Sequence, residues 1–119
     1  MYKRQISAYF ARWTGTNTPW ITLDPQPQTI ADGVATTSIG RYTFPIMRRL
    51  LEGIVTVPEE DILRALELIL TRSKQVVEPT GALSTAAALF GHAEVRGKRV
   101  MSLLCGGNLD LRVLERLRG

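Results

Sequence analysis

Short apolar runs alternate along this chain with segments whose apolar residues recur at helical spacing. Residues 54–57, which are β-branched throughout, predict a short strand, and residues 98–104 have the composition of a strand buried on both faces. Helical patterns cover residues 44–53, 58–69, 81–90 and 109–117. Because strands that are separated by helices pair in parallel through right-handed crossovers, this order predicts an α/β fold with parallel strands and flanking helices.

The helix predicted from residue 58 onwards carries the clearest start signal. Pro58 fixes a φ that suits the start of a helix. Three acidic residues follow at the positive end of the helix dipole, namely Glu59, Glu60 and Asp61. The apolar face then continues through Ile62, Leu66 and Ile69. The acidic residues are therefore interpreted as helix-terminal charges and not as metal ligands or acid–base groups.

The composition argues against several classes of protein. A chain of 119 residues has room for one domain. Its single cysteine, Cys105, and single histidine, His92, leave no pair for a disulfide, a zinc site or a thiol relay. The net charge of +4 comes from dispersed basic residues without interleaved aromatic ones, which argues against nucleic-acid binding. No run approaches the ~20 apolar residues that span a bilayer, so we expect a cytoplasmic protein without a membrane partner.

Four features of the sequence have open interpretations. The Gly-Gly turn that follows Cys105 either presents backbone N–H groups to a ligand or is only a tight turn, and Cys105 itself is possible as a small core residue. Glu78, next to a proline, either has a buried partner or lies at a rim. His92 follows a helix-ending glycine, which favours a contact with the helix terminus or plain exposure over catalysis.

Four segments carry a family resemblance when they are taken together in their order and spacing. They are residues 29–33 (Thr-Ile-Ala-Asp-Gly), residues 44–46 followed by 53–60, residues 76–82 (Val-Val-Glu-Pro-Thr-Gly-Ala) and residues 105–110 (Cys-Gly-Gly-Asn-Leu-Asp). Over residues 7–117 the chain resembles the C-terminal part of the pyridoxal-phosphate-dependent threonine dehydratases, a group that includes serine racemases. The resemblance implies the fold-type-II architecture, in which residues 6–119 form part of the larger cofactor domain.

The same resemblance implies a set of residues near the cofactor, pyridoxal 5'-phosphate. Cys105 matches the family position that faces the pyridine nitrogen, and the loop continues through Gly106, Gly107 and Asn108. Asp32 and Gly33 match a loop that passes the cofactor ring, and Glu78 matches a carboxylate close to the active site. The family's metal ligands would fall near residues 4–10, where the sequence has no carboxylate, so no metal site is expected.

Other parts of the family pattern have no counterpart in this sequence. The family's cofactor-binding lysine lies in a Ser-x-Lys-x-Arg motif, and neither Lys3, Lys74 nor Lys98 has that context. The glycine-rich phosphate loop is also absent, so we predict no catalytic residue here and no activity of the chain alone. Residues 1–5 are expected to be a non-native, adapter-like start, and residues 14–28, with three prolines, an irregular connection.

The resemblance implies that the parent protein is a lyase of amino-acid metabolism, in the context of isoleucine biosynthesis. It would dehydrate and deaminate L-threonine or L-serine to a 2-oxo acid and ammonia, as a cytoplasmic homo-oligomer acting on a small amino-acid substrate. A serine racemase or a hydroxyaspartate dehydratase is the alternative within the family. A noncatalytic small α/β binding module is the alternative from another class.

Overall fold

The computed structural model describes residue 26 and residues 28–118. The α-helices of this part are α1 (Thr43–Leu50), α2 (Glu59–Leu68), α3 (Pro79–Leu89) and α4 (Leu111–Glu115). Short 3₁₀ turns cover Asp32–Val34 and Arg116–Arg118, and a π-helical turn over Ile69–Ser73 continues α2. The predicted start at residues 1–5, the region near residues 4–10 and most of the predicted connection at 14–28 lie outside the described residues.

Helix α2 confirms the start signal that was read from the sequence. Pro58 lies just before the helix with extended backbone angles, and the three acidic residues form the first turn. Ile62, Leu66 and Ile69 are all buried, as their spacing predicts. The helix ends after its π-helical turn at Lys74, which takes up a left-handed conformation with φ of 56°.

Helix α3 packs against α2 to form the core. The contact uses small side chains, because Ala82 and Ala86 of α3 and Ala65 of α2 are fully buried. Alanine permits close approach of two helix backbones, and it also has the highest helix propensity. The other buried members of this core are Ala31, Ile62, Leu66, Ile69 and Val77. The predicted helix at 81–90 is therefore confirmed, with a start two residues earlier at Pro79.

The two predicted strands are wrong for the part of the chain that the structure describes. Residues 54–57 and 98–104 have no strand structure there. Most of their apolar side chains are exposed, as with Met101 at 94% and Leu103 at 70%, whereas Val57 is partly buried against the core. A strand exists only through hydrogen bonds to a neighbouring strand, and no such neighbour lies within the described residues. The apolar composition was recognised correctly, but composition alone cannot supply the partner.

The first and last helices are shorter than their patterns predict. Helix α1 ends at Leu50, three residues before Gly53. Helix α4 begins after Asp110, whose carboxylate accepts a hydrogen bond of 2.9 Å from the backbone N–H of Arg112 and so caps the helix. Leu109, Val113 and Leu117 pack against the core at helical spacing. Among the described helices, none has the length and apolar character needed to cross a membrane.

Candidate functional site

The first turn of α3 joins two segments that are distant in sequence. On one side, the backbone N–H of Gly33 donates a hydrogen bond of 3.1 Å to the hydroxyl oxygen of Thr80. On the other side, the backbone N–H of Glu78 donates a hydrogen bond of 2.8 Å to the carbonyl oxygen of Gly106. The start of α3 therefore holds the 32–33 turn and the 105–106 loop in one place.

Two glycines make the contact between α3 and the 105–106 loop possible. A Cβ at Gly81 would overlap the carbonyl oxygen of Cys105, so only glycine lets the loop lie directly on the helix. Gly106 has a φ of 77°, and a Cβ there would overlap the Glu78 carboxylate. Substitution at either glycine is therefore expected to displace the loop.

The structure brings together most of the site residues predicted from the sequence. Glu78, Gly33, Cys105 and Gly106 meet at the start of α3, and Asp32 precedes Gly33 in its 3₁₀ turn. Gly107 and Asn108 continue the loop in exposed positions, and a Cβ at Gly107 would meet no atom within 4 Å. Whether these seven residues bind the cofactor stays a prediction.

The open interpretations of two site residues can now be compared with their surroundings. Cys105 is exposed, so it is not a core residue in this structure. Glu78 is half-buried at the edge of the 105–106 loop, which agrees with its interpretation as a rim carboxylate. Both residues are therefore accessible to a ligand that approaches the start of α3.

Sequence reasoning missed the contribution of Thr80. Its hydroxyl oxygen accepts the hydrogen bond from Gly33 that connects the 32–33 turn to α3. The residue lies inside the matched segment 76–82, two positions after Glu78, and this placement was the available signal. A threonine in the first turn of a helix commonly forms hydrogen bonds with nearby backbone groups. Its bond to a distant segment therefore could not be inferred from the sequence.

A polar cluster at the other end of α3 has a structural role. His92 Nε2 donates a 2.7 Å hydrogen bond to the Asp61 carboxylate, and Arg64 forms a 2.9 Å ion pair with the same carboxylate. The hydrogen bond from His92 is the main cause that lowers the pKa of Asp61, with a further contribution from Arg64 that works against the effect of burial. The backbone N–H of His92 also donates to Ala87, which agrees with a contact at the helix terminus.

An open groove of about 910 Å³ lies beside this core. It is bordered by residues 28–31 and 55–60, by Leu83 and Ser84 of α3, and by Arg116. None of the seven predicted site residues lines it, although Ala31 and Val34, which flank the 32–33 turn, do. Over the described ranges, no group of three or more His, Cys, Asp and Glu side chains is placed to hold a metal ion.

Comparison with known proteins identifies the family. A family model described as pyridoxal-phosphate dependent enzyme matches residues 7–106. The chain belongs to this family. Membership confirms the resemblance seen in the sequence, and the family depends on pyridoxal phosphate as its cofactor.

Three relatives show which members of this family the chain is similar to. L-threo-3-hydroxyaspartate ammonia-lyase of Saccharomyces cerevisiae is 42% identical over 86 residues, which are 72% of this chain and 26% of that protein. The crystal structure of the T.th. threonine deaminase is 50% identical, with a TM-score of 0.64 over 76% of this chain and 32% of that one. Maize serine racemase is 28% identical, with a TM-score of 0.74 over 96% of this chain and 36% of that one.

The chain therefore spans about a quarter to a third of the length of these relatives. The relatives support the predicted α/β class, although the described part of this chain contains helices without strands.

The residues at the start of α3 fit a planar, nitrogen-containing ring such as that of pyridoxal phosphate. The exposed Cys105 thiol is a weak hydrogen-bond donor and acceptor that a ring nitrogen can use. Gly107 presents backbone without a side chain, and a Cβ there would meet no atom within 4 Å, which permits close approach of a flat ligand. The donor set is compatible with the family's cofactor.

Proposed function

We propose that this chain is the C-terminal part of a pyridoxal-phosphate-dependent lyase that converts L-threonine or L-serine to a 2-oxo acid and ammonia. The observation that carries the proposal is the meeting of the Cys105 loop, Glu78 and the 32–33 turn at the start of α3. The 50% identity to a threonine deaminase over 76% of the chain supports the lyase assignment.

In this proposal, the bound cofactor supplies an electron sink for the carbanion that forms at the amino-acid Cα. The chain's own residues hold and orient the ring. Cys105 would face the ring nitrogen as a weak hydrogen-bond partner, whereas an aspartate at this position would bring a negative charge there. The backbone of the 32–33 turn and of residues 106–108 would border the ring. Glu78 holds the Cys105 loop in place through its N–H, which donates to the Gly106 carbonyl oxygen.

In this proposal, the reaction also requires a cofactor-binding lysine, which neither Lys74 nor Lys98 provides. Lys74 donates a hydrogen bond to the Thr71 carbonyl oxygen at the end of the π-helical turn, and Lys98 lies in an exposed loop. Neither lysine is in the sequence context of the family's cofactor-binding lysine. The chain alone is therefore expected to lack lyase activity. A small amino-acid substrate, a homo-oligomeric parent enzyme and a cytoplasmic location belong to the same proposal.

A serine racemase or a hydroxyaspartate ammonia-lyase is the second candidate. Two similarities favour it. The match to the maize serine racemase structure covers 96% of the chain, and the yeast hydroxyaspartate enzyme is 42% identical over 86 residues. The third alternative from the sequence was a noncatalytic binding module. Membership of an enzyme family argues against it.

A chimaeric enzyme tests the proposed function. Residues 7–117 replace the matching segment of the T.th. threonine deaminase, and the unaltered deaminase is the control. We expect the chimaera to bind pyridoxal phosphate and to release 2-oxo acid from L-threonine or L-serine. Formation of D-serine without 2-oxo acid supports the racemase instead. A folded chimaera without cofactor absorbance contradicts the proposed role of this segment.

A further inference from the structure

Three hydroxyl groups connect helix α3 to the segment that precedes Cys105. Ser84 and Thr85 of α3 lie next to Ser102, with oxygen–oxygen distances of 2.9 Å for Ser84 and 2.8 Å for Thr85. The Ser84 hydroxyl also lies 2.9 Å from the carbonyl oxygen of Leu103. We call Ser84, Thr85 and Ser102 the hydroxyl cluster.

The number of protons fixes the direction of these hydrogen bonds. Each hydroxyl has one hydrogen to donate, and a carbonyl oxygen can only accept. Ser84 therefore donates to Leu103, which means that its bond with Ser102 is donated by Ser102. The hydrogen of Ser102 is then used, so Thr85 donates to Ser102. The result is one continuous chain of hydrogen bonds that ends on the backbone of the 102–106 segment.

The hydroxyl cluster is one of three contacts that follow the same face of α3. The second is the contact between Gly81 and the Cys105 carbonyl, and the third is the hydrogen bond from Glu78 to Gly106. The segment thus runs in the opposite direction to the helix. Four extended residues reach about 13 Å, and seven helical residues rise about 10.5 Å, so the two lengths are compatible.

We propose that the hydroxyl cluster sets the register of residues 102–106 on α3 and thereby positions the Cys105 loop of the cofactor site. Gly81 selects the same register independently, because a shift by one residue would place the Cys105 carbonyl against a residue that has a Cβ. Ser84, Thr85 and Ser102 act as positioning residues. The part of this inference that concerns the cofactor rests on the proposed function.

Amide hydrogen exchange of Glu78 in the full 119-residue chain tests the register. This N–H is bonded to Gly106, so it exchanges faster when the segment detaches. Ser84→Ala removes two bonds, including the one to the backbone, and should raise the exchange rate by about 2- to 10-fold. Ser102→Ala also removes two bonds, but both are to hydroxyl groups, so its effect on the exchange rate should be smaller. Thr85→Val removes one bond and should have the smallest effect. Ser102→Thr keeps the hydroxyl and should restore the slow exchange.

The matched control is Thr71→Ala. The Thr71 hydroxyl donates to the Glu67 carbonyl oxygen four residues earlier in the same helix, so its loss should leave Glu78 exchange unchanged. The reaction rate of the Cys105 thiol with Ellman's reagent is a second measurement, because Cys105 is the chain's only cysteine. Exchange rates in all three cluster variants equal to that of the control would overturn the proposal.

The pyridoxal phosphate affinity of the chimaera, with and without Ser84→Ala, separates this inference from the proposed function. Faster exchange together with weaker cofactor binding supports the proposal. Faster exchange with unchanged cofactor binding overturns the link between the hydroxyl cluster and the cofactor site. A chimaera that binds no cofactor even without the substitution contradicts the proposed function, whereas the exchange rates still decide whether the cluster sets the register.

Discussion

The carbonyl oxygen of Cys105 occupies the space that a Cβ on residue 81 would need. This contact joins the chain's only thiol, which is exposed, to the helix that forms its core. Because Gly81 and Ala82 are buried side by side, the same short stretch of α3 supports both the loop and the packing against α2. The stability of the core and the geometry of the candidate site are therefore coupled.

Gly81→Ala should destabilise the chain by about 1–3 kcal/mol, the usual effect of forcing an extra methyl group into a packed contact. Urea unfolding measures this loss. Gly53→Ala is the control, because a Cβ at Gly53 meets no atom within 4 Å and its φ is not positive. Equal stabilities of the two variants would show that the loop does not lie on α3 in solution.

Cys105→Ser in the chimaeric enzyme should keep most of the activity, because a hydroxyl can also act as a neutral hydrogen-bond partner. Cys105→Asp should lower the elimination rate by about tenfold or more, corresponding to ~1.4 kcal/mol or more in the barrier, since it adds a charge beside the ring. Steady-state rates and cofactor affinity are the measurements. If Ser, Ala and Asp at position 105 give the same values, Cys105 does not face the cofactor.

The isolated chain should form no covalent adduct with pyridoxal phosphate at a unique lysine and should release no 2-oxo acid from threonine. Its lysines, Lys3, Lys74 and Lys98, lack the sequence context of the family's cofactor-binding residue. Borohydride reduction followed by peptide mapping checks this. Stoichiometric labelling of one lysine together with product formation would contradict the prediction.

The isolated chain should self-associate through the apolar residues around Met101, which is 94% exposed. The double variant Met101→Lys and Leu103→Lys should shift the chain towards a monomer in size-exclusion chromatography and reduce dye binding. Tyr42→Lys is the control, because it removes another highly exposed large residue from a different segment. A sharp two-state melt of a monomeric wild-type chain would count against this expectation.

Asp61 should make the stability of the chain depend on acidic pH. The hydrogen bond from His92 and the ion pair with Arg64 lower the Asp61 pKa below its ordinary value of 3.8 in the folded state. The unfolded chain then takes up the proton first, so the stabilisation is present above about pH 3.8 and is lost as the pH falls through the lower folded-state pKa.

Unfolding measured from neutral to acidic pH tests this dependence with Asp61→Asn. The stability difference between wild type and this variant should persist at neutral pH and shrink below pH 3.8. Glu67→Gln, at an exposed position on the same helix, is the control. A difference that stays constant through the acidic range would show that the Asp61 carboxylate is not stabilised by its partners.

The order of the helices and the buried face of α2 could be predicted from the sequence alone, whereas the apolar side chains predicted to share a face of α1, Ile46 and Leu50, are exposed. Pro58 with its acidic neighbours and the spacing of Ile62, Leu66 and Ile69 are local signals, and a helix forms through local hydrogen bonds. Family motifs added a set of predicted site residues, including Cys105 and Glu78, whose cofactor contacts stay a prediction. These predictions needed no knowledge of which distant segments meet.

Only the tertiary structure decided how these segments come together. The contacts of Thr80 with Gly33 and of Gly81 with Cys105 join parts of the chain that have no local pattern in common. The runs at 54–57 and 98–104 show the same limit, because their composition suits strands but the described residues offer no strand to pair with. A helix forms its hydrogen bonds within one segment, whereas a strand or a site depends on surfaces that only folding brings together.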